Sequence, residues 1–252
     1  MCPFTHNRSV SVSGSTEADA PRLVLASASP RRRELLAALG VSFTVVPTRA
    51  EEEQRDAPVP AALRAALPPC PVPLAQHPTL LAWRKAAAVW QQDIADVVLA
   101  ADTDVVLDGT VLGKPADAAH ATTMLRQLAG RVHSVYTGLC VYTGQHTAPR
   151  YELVRSDVAF RPLSDADIAA YISTGEPLDK AGAYGIQGYG GTLVRQVSGS
   201  YTAIVGLPLH ETWQLLTSAG ITRLHDPVTA YHRWRAMQGK EREVIPCTPA
   251  QL

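Results

Sequence analysis

The sequence predicts an α/β domain built on a mixed β-sheet. Three observations carry that prediction. Apolar strand patterns and amphipathic helix patterns interleave along the chain, but irregularly. Several strand patterns follow one another directly, which favours a mixed sheet over a strictly doubly wound parallel one. No internal repeat interrupts the pattern.

The first strand is expected over 22–27 (RLVLAS), a short buried run. Ser29 and Pro30 then open a helix, because Ser suits the N-cap and Pro the first helical position. Leu35, Leu36 and Leu39 form its apolar face and Gly40 ends it. A second strand follows over 43–47. Residues 54–78 hold so many prolines that no long regular element fits. They are an irregular insertion and not a domain boundary, since the elements on either side need each other. A helix follows over 79–94. Residues 97–107 are a strand pair or one broken strand, with Asp102 and Asp104 inside it.

Asp117 caps the next helix, whose Ala121, Leu125 and Leu128 share a face closed by Gly130. Two long strands follow, over 132–142 and 151–160. Ser164 and Asp167 resemble a capping box that opens a helix ending near Gly175. A Gly-rich stretch, GAYGIQGYGG, leads to a strand over 192–197, and Pro208 starts the last clear helix. Residues 1–21, polar and rich in Ser and Thr, are expected to be a disordered arm. Residues 22–220 are the domain. Residues 221–252 show no strong period, form a C-terminal extension and have no element assigned to them.

Composition narrows the function classes. The chain has 252 residues, 46% hydrophobic and 18% charged, so a real core is expected and global disorder is excluded. Lys+Arg and Asp+Glu both number 23, which argues against a protein that coats nucleic acid polymer through bulk charge. A small basic pocket for one anion remains compatible with that balance. No apolar run approaches the ~20 residues of a membrane span, and the N-terminus lacks the apolar core of a signal peptide. Cys2, Cys70, Cys140 and Cys247 form no C-x-x-C pair, and His210-Glu211 lacks its second His because Gln214 stands there. A disulfide scaffold or zinc site is therefore not indicated, and a reduced, cytoplasmic location is expected.

Five constellations have chemical potential. Ser27-Ala28-Ser29-Pro30-Arg31-Arg32-Arg33 lies between a strand and a helix. Free N–H groups at a helix start attract anions, and Ser hydroxyls and Arg forks add donors suited to phosphate. The same residues also fit an ordinary capped helix with solvated arginines. Glu51-Glu52-Glu53 reads locally as a solvated acidic run, or as a ligand for Mg²⁺, which takes one or two carboxylates plus substrate phosphates. Lys85 lies on or beside the apolar face of its helix, where it either snorkels or reaches an anion.

The fourth constellation is ADTDVV followed by LGKP. A carboxylate after the apolar run VVLAA is costly unless paired or metal-bound, so Asp102 suits a catalytic base or metal ligand. Asp104 points the same way under period 2, or sits in a turn. Lys114, between Gly113 and Pro115, has a fixed loop position suited to an anion. The fifth is EPLDKAGAYGIQG, whose glycines let backbone approach a ligand and whose Gln187 offers both a donor and an acceptor. A tight structural loop is the other reading.

The blocks LASASPRRRELLAALGVSF, ADTDVVLDGTVLGKP, HSVYTG, EPLDKAGAYGIQGYGG and GSYTAIVGLPLHET, in that order, resemble the signature segments of the Maf family of nucleoside triphosphate pyrophosphatases, also described as septum-formation inhibitors. The resemblance covers roughly residues 22 to 218. It implies a single α/β domain with a mixed, strongly bent sheet flanked by helices and a deep cleft, similar to the inosine triphosphate pyrophosphatase fold. It implies hydrolysis of a nucleoside triphosphate to monophosphate and pyrophosphate with a divalent cation, Mg²⁺ or Mn²⁺. The catalytic aspartate matches Asp102, and the phosphate-handling residues match Ser27, Arg32, Lys85 and Lys114. Ser29 belongs to the same helix start. The metal-site glutamate falls in Glu51–Glu53, and a gapless count favours Glu52, with Asp102 beside it. The block DKAGAYGIQG looks like the dTTP/UTP branch, whose specificity positions match Arg31, Thr103 and Gln187. The branch acting on 7-methyl-GTP carries a different sequence there.

These readings converge on one expected scheme. Asp102 deprotonates a water that attacks the α-phosphorus, cations offset the phosphate charge, and Gln187 and Thr103 read the pyrimidine edge. Its role would be removal of modified pyrimidine nucleotides from the pool. The alternatives are the same fold acting on 7-methyl-GTP, or a nucleotide-binding regulator of cell division. The expected partner is a small nucleotide, with neither nucleic acid polymer nor membrane, and the resemblance adds a homodimer.

Overall fold

The longest parallel-and-antiparallel junction of the sheet is a single strand, β3 (Val97–Leu107), and the rest of the domain is arranged around it. The computed structural model describes residues 20–146 and 148–238. The expected arm at 1–21 lies almost wholly outside them, as does the end of the extension. β1 (Leu23–Leu25) pairs in parallel with β3 on one side and with β2 (Thr44–Val45) on the other. β4 (Thr110–Leu112), β5 (Val132–Thr143), β6 (Arg150–Phe160) and β7 (Val194–Ser198) complete the sheet with antiparallel pairings. The sheet has seven strands in the order β2-β1-β3-β5-β6-β7, with β4 added to β3. The mixed sheet expected from the sequence is present. The region 97–107, expected as a pair or a broken strand, is one continuous strand. Asp102 and Asp104 do not break it, because β5 pairs with it without interruption from Val97 to Val106.

Helices cover both faces, as period 2 along β3 requires. Val97, Leu99, Ala101, Val105 and Leu107 point to the larger core. Into it pack Leu35 and Leu36 of α1 (Pro30–Ala38), Leu125 of α5 (Ala118–Leu128), Ile168 of α6 (Asp165–Ile172) and Leu216 of α8 (Leu209–Ser218). Val98 and Ala100 point to a smaller core filled by Ala82, Ala86 and Val89 of α4 (Pro78–Trp90). That helix rests on bare backbone. A Cβ at Gly138 of β5 would collide with the backbone of Pro78 and Thr79, so only glycine lets the start of α4 approach the sheet this closely.

The local signals hold where capping decides them. Ser29 caps α1, Asp117 caps α5 through the His120 N–H at 2.7 Å, and Ser164 and Asp167 form the capping box of α6. The Pro-rich insertion is irregular but contains a short helix, α3 (Ala61–Ala66), because a stretch between prolines is long enough for one turn and more. Further elements lie outside the sequence reading, among them β4, the short helices α2 (Ala50–Glu53) and α7 (Tyr201–Val205) and, within the extension, the eleven-residue α9 (Pro227–Met237). Cys70 and Cys140 are free thiols, and burial raises both. Among the described residues, no helix is long and apolar enough to cross a membrane.

Candidate active site

The cleft opens where the edge of β3 is left unpaired. β1 pairs with β3 only as far as Leu99, and β4 begins to pair at Val105. Between them β1 has turned away into α1, so the edge of β3 beside Asp102, mid-strand, borders the cleft. The resulting cleft has a volume of about 560 Å³. Ser27, Ser29, Arg31, Arg32, Lys85, Asp102, Thr103, Lys114 and Gln187 all line it.

Lys85 is the electrostatic centre. Its side chain is 8% exposed and reaches two carboxylates, with Nζ 2.5 Å from Asp102 Oδ1 and 3.0 Å from Glu51 Oε1. It does not snorkel: its ammonium is held between two of the protein's own carboxylates. A buried ammonium between two carboxylates is the pairing that makes its burial tolerable.

The acidic triplet resolves to a different register from the gapless count. Glu51 lines the cleft at 21% side-chain exposure, whereas Glu52 is 62% exposed and pairs with Arg49 at 3.6 Å. The cause is the rotation of α2. Ala50 is buried and Glu51 and Gln54 are half-buried, a set that shares one face at helical spacing, and Glu52 and Glu53 face away. Arg84, buried beside Lys85, fastens that turn: its Nη2 donates to the Arg55 and Ala57 carbonyls at 3.2 and 3.4 Å.

Arg32 is locked in place by its neighbours. Nε donates to the Gly206 carbonyl at 2.9 Å, Nη1 to Ser27 Oγ at 3.3 Å and Nη2 to Thr103 Oγ1 at 3.2 Å. Desolvation lowers its pKa, with the charge of Asp102 opposing. Thr103 Oγ1 also lies 2.9 Å from Thr137 Oγ1, which donates to the Ala203 carbonyl at 2.7 Å. Thr137 has spent its proton, so Thr103 must donate to it. That hydroxyl supports Arg32 and has no proton left for a base edge. Ser27 Oγ accepts from the Ser29 N–H at 3.2 Å, and Ser29 Oγ accepts from the Arg32 N–H at 3.5 Å, so both serines shape the helix start. Arg33 is exposed.

Asp104 shares the face of Asp102 and lies in the strand, not in a turn. Burial, then the charge of Asp102, pushes its pKa up to about 7, with Lys85 and Arg32 opposing. It does not line the cleft. Lys114 is exposed at the rim, and its loop is pinned by the Gly182 N–H on the Gly113 carbonyl at 3.1 Å.

The opposite wall is the Gly-rich loop. Gly185 and Gly188 line the cleft and also lie against a carboxylate of the protein itself. Glu176 accepts from Tyr171 Oη at 3.0 Å and from the Tyr189 and Gly190 N–H groups at 2.8 and 3.3 Å. A Cβ at Gly188 would collide with that carboxylate. From below, His133 Nε2 lies 2.9 Å from Tyr184 Oη, and the two rings stack edge-on with Phe160. Gln187 projects from this loop, and its Oε1 is buried with no partner among the described residues. Lys180, which the sequence reading passed over, also lines the cleft, held by the Glu176 carbonyl at 2.8 Å and Asp179 Oδ1 at 2.5 Å. Burial pushes Asp179 up, but Lys180 and Arg31 outweigh it and leave its pKa lowered.

The family model for Maf-like protein matches residues 22–219. The chain belongs to the Maf-like protein family. A relative from Shigella boydii serotype 4, named dTTP/UTP pyrophosphatase, is 49% identical over 202 residues, covering 80% of this chain and 94% of the relative. A relative of the same name from Escherichia coli O157:H7 is 48% identical over the same span. One from Shigella flexneri, also 48% identical, is named nucleoside triphosphate pyrophosphatase. The Maf-like match takes in both walls of the cleft and ends before α9.

Two oxygens suit a divalent cation. Glu51 Oε2 is buried with no partner among the described residues, although Oε1 is bonded to Lys85. Asp102 stands on the other side of the same ammonium. Mg²⁺ asks for one or two such carboxylates and takes its remaining ligands from water and substrate phosphates. Among the described residues no larger group of His, Cys, Asp or Glu gathers, so the donor set fits a hard ion shared with a substrate and not a closed structural site.

Proposed function

We propose that this chain hydrolyses nucleoside triphosphates, dTTP and UTP among them, to the monophosphate and pyrophosphate, and so clears modified pyrimidine nucleotides. The observation that carries the reading is the Glu51–Lys85–Asp102 array. It pairs charges of both signs at an opening between a helix start and a loop whose Gln187 amide oxygen has no partner among the described residues. Relatives about half identical to the chain and named for this activity support it.

The triphosphate lies along the Ser29–Arg32 helix start, where the positive end of the helix dipole favours an anion. Arg32, Lys85 and Lys114 offset its charge, and this electrostatic stabilisation dominates phosphoryl transfer. Asp102 Oδ1 is engaged by Lys85, and Oδ2 takes the proton from the attacking water. The water oxygen bonds to the α-phosphorus as the bond to the bridging oxygen breaks, and pyrophosphate leaves with that electron pair. Glu51 and Asp102 would hold Mg²⁺ or Mn²⁺, which supplies further charge offset at the phosphate oxygens. Gln187 pairs with the imide edge shared by uracil and thymine, accepting from N3–H and donating to a carbonyl. Thr103 serves Arg32 instead.

The test is turnover of the purified chain against a nucleotide panel with either cation, reading pyrophosphate. Preference for dTTP and UTP is expected. Preference for 7-methyl-GTP would reassign the substrate. Tight binding without turnover would replace the enzyme with a nucleotide-binding regulator.

A further inference from the structure

The loop that carries Gln187 is braced from behind by a helix outside the matched family segment. α9 follows residue 219, where the match ends. Its Trp234 is 1% exposed and is the largest fully buried side chain among the described residues. The indole packs on Tyr231, ring centroids 6.0 Å apart, and on Tyr201 of α7 at 6.1 Å. Tyr201 in turn donates its hydroxyl to the Ile186 carbonyl at 3.3 Å. Ile186 lines the cleft directly before Gln187. Gly191 lies against that carbonyl as well, since a Cβ there would stand 2.6 Å from it. Burial pushes the Tyr201 hydroxyl up to about 12, so it is a neutral donor at physiological pH.

Both ends of α9 are fixed independently of this chain of contacts. The His225 N–H donates to the Leu39 carbonyl at 2.8 Å, and Gln238 Nε2 donates to Glu34 Oε2 at 2.9 Å. Both acceptors belong to α1 or its C-cap. The helix is therefore anchored on one wall of the cleft while its indole supports the other.

We propose that Trp234 and Tyr201 are positioning residues for base selection, holding the Ile186 carbonyl so that the Gln187 amide meets the base at a fixed height. The inference rests on the reading that Gln187 pairs with the base. A loosened loop would still close on a triphosphate, but the amide would lose its aim. Phosphate handling is read alongside, because α7 also carries the Ala203 carbonyl that holds Thr137 and ends at the Gly206 carbonyl that holds Arg32.

The experiment compares Tyr201→Phe, Trp234→Leu and Trp234→Phe in the full chain, with Gln187→Ala in parallel. Two quantities are read: the UTP:CTP ratio of kcat/KM, and amide hydrogen exchange across residues 185–191. Tyr201→Phe keeps the ring and removes only the hydroxyl. It should lower the ratio about two- to tenfold, the effect of one net hydrogen bond, and speed exchange in the loop. Its Mn²⁺ half-activation should stay at the wild-type value. Trp234→Leu should act in the same direction, and Trp234→Phe should restore most of the ratio. If Tyr201→Phe keeps the wild-type ratio while Gln187→Ala shifts it, the bracing role is wrong and base reading stands. If Gln187→Ala itself leaves the ratio unchanged, base reading fails and the specificity role falls with it. Should Trp234→Leu not fold, Tyr201→Phe alone decides.

Discussion

The two walls of the cleft are built on different principles. On one wall, Arg32, Lys85, Asp102 and Glu51 sit on a helix or a strand; Lys85 ties Asp102 to Glu51 by charge-assisted bonds, and Arg32 is held by Thr103, Ser27 and the Gly206 carbonyl. On the other, the loop from Gly182 to Gly190 is mostly turns, and it is wrapped around Glu176, Tyr171 and Tyr201. The first wall offers charge at positions regular elements keep rigid. The second offers shape. A reaction common to all triphosphates needs the first, and discrimination among bases needs the second.

The comparison breaks most sharply at Asp102. Asp102→Asn removes one charge at nearly constant volume, and loss of a general base costs ~10²–10⁴-fold in turnover. The loss should be equal for dTTP, UTP and CTP, because the wall of regular elements touches only what they share. Hydrolysis by the purified variant within a few-fold of wild type would remove Asp102 from the chemistry. A loss confined to one base would erase the division between the walls.

Next in size is the acidic turn. Glu51→Gln should raise the Mn²⁺ concentration for half-activation at least about tenfold, the scale on which metal sites respond to their supporting groups. Glu52→Gln should titrate like wild type, since that carboxylate faces Arg49 and solvent. Direct Mn²⁺ binding to the nucleotide-free protein, read by paramagnetic resonance, gives the same comparison without turnover. The reverse order of the two variants would restore the gapless register.

That register shows where sequence reasoning stops. Ser29, Asp117 and Ser164 were legible as caps because capping is settled within four residues. Asp102 was legible because a carboxylate after VVLAA violates the pattern around it. Glu51 was not, because one turn of helix can present any of three consecutive residues. Its rotation is set by the burial of Ala50 and by Arg84, thirty-odd residues along the chain. The glycines of the loop were visible, but the Glu176 carboxylate they accommodate is a tertiary contact. α9 carried a readable start, Asp226-Pro227, yet only Ala230 and Trp234 of it are buried, too few to make a period.

A smaller effect separates the walls by substrate. Gln187→Ala should lower kcat/KM for UTP and dTTP towards that for CTP, by roughly tenfold, because a buried amide paired to the imide edge contributes about that much discrimination. Lys114→Ala should depress all triphosphates alike. The UTP:CTP ratio in the two variants is the measurement. An unchanged ratio in Gln187→Ala makes that residue a structural part of the loop.

The last effect concerns stability, not turnover, and lies beneath the Gly-rich wall. His133 is buried against Phe160 and Tyr184, and desolvation pushes its pKa down to about 4, with the charge of Asp157 opposing. In the unfolded chain it returns to about 6.5. Between those values the unfolded state holds a proton that the folded state does not, so stability rises with pH across the window. Its contribution is complete above about pH 6.5 and is lost as pH falls towards about 4, by at most ~1.4 kcal/mol per pH unit. His133→Gln keeps an amide that can bond Tyr184 but cannot titrate. Unfolding free energies measured by denaturant at intervals from pH 4 to 6.5 should therefore show a shallower slope for the variant, by up to one proton. Other groups titrate equally in both proteins, so the difference in slope isolates His133. Parallel slopes would mean that the imidazole is already protonated in the fold, and that the loop rests on a charged support like those of the opposite wall.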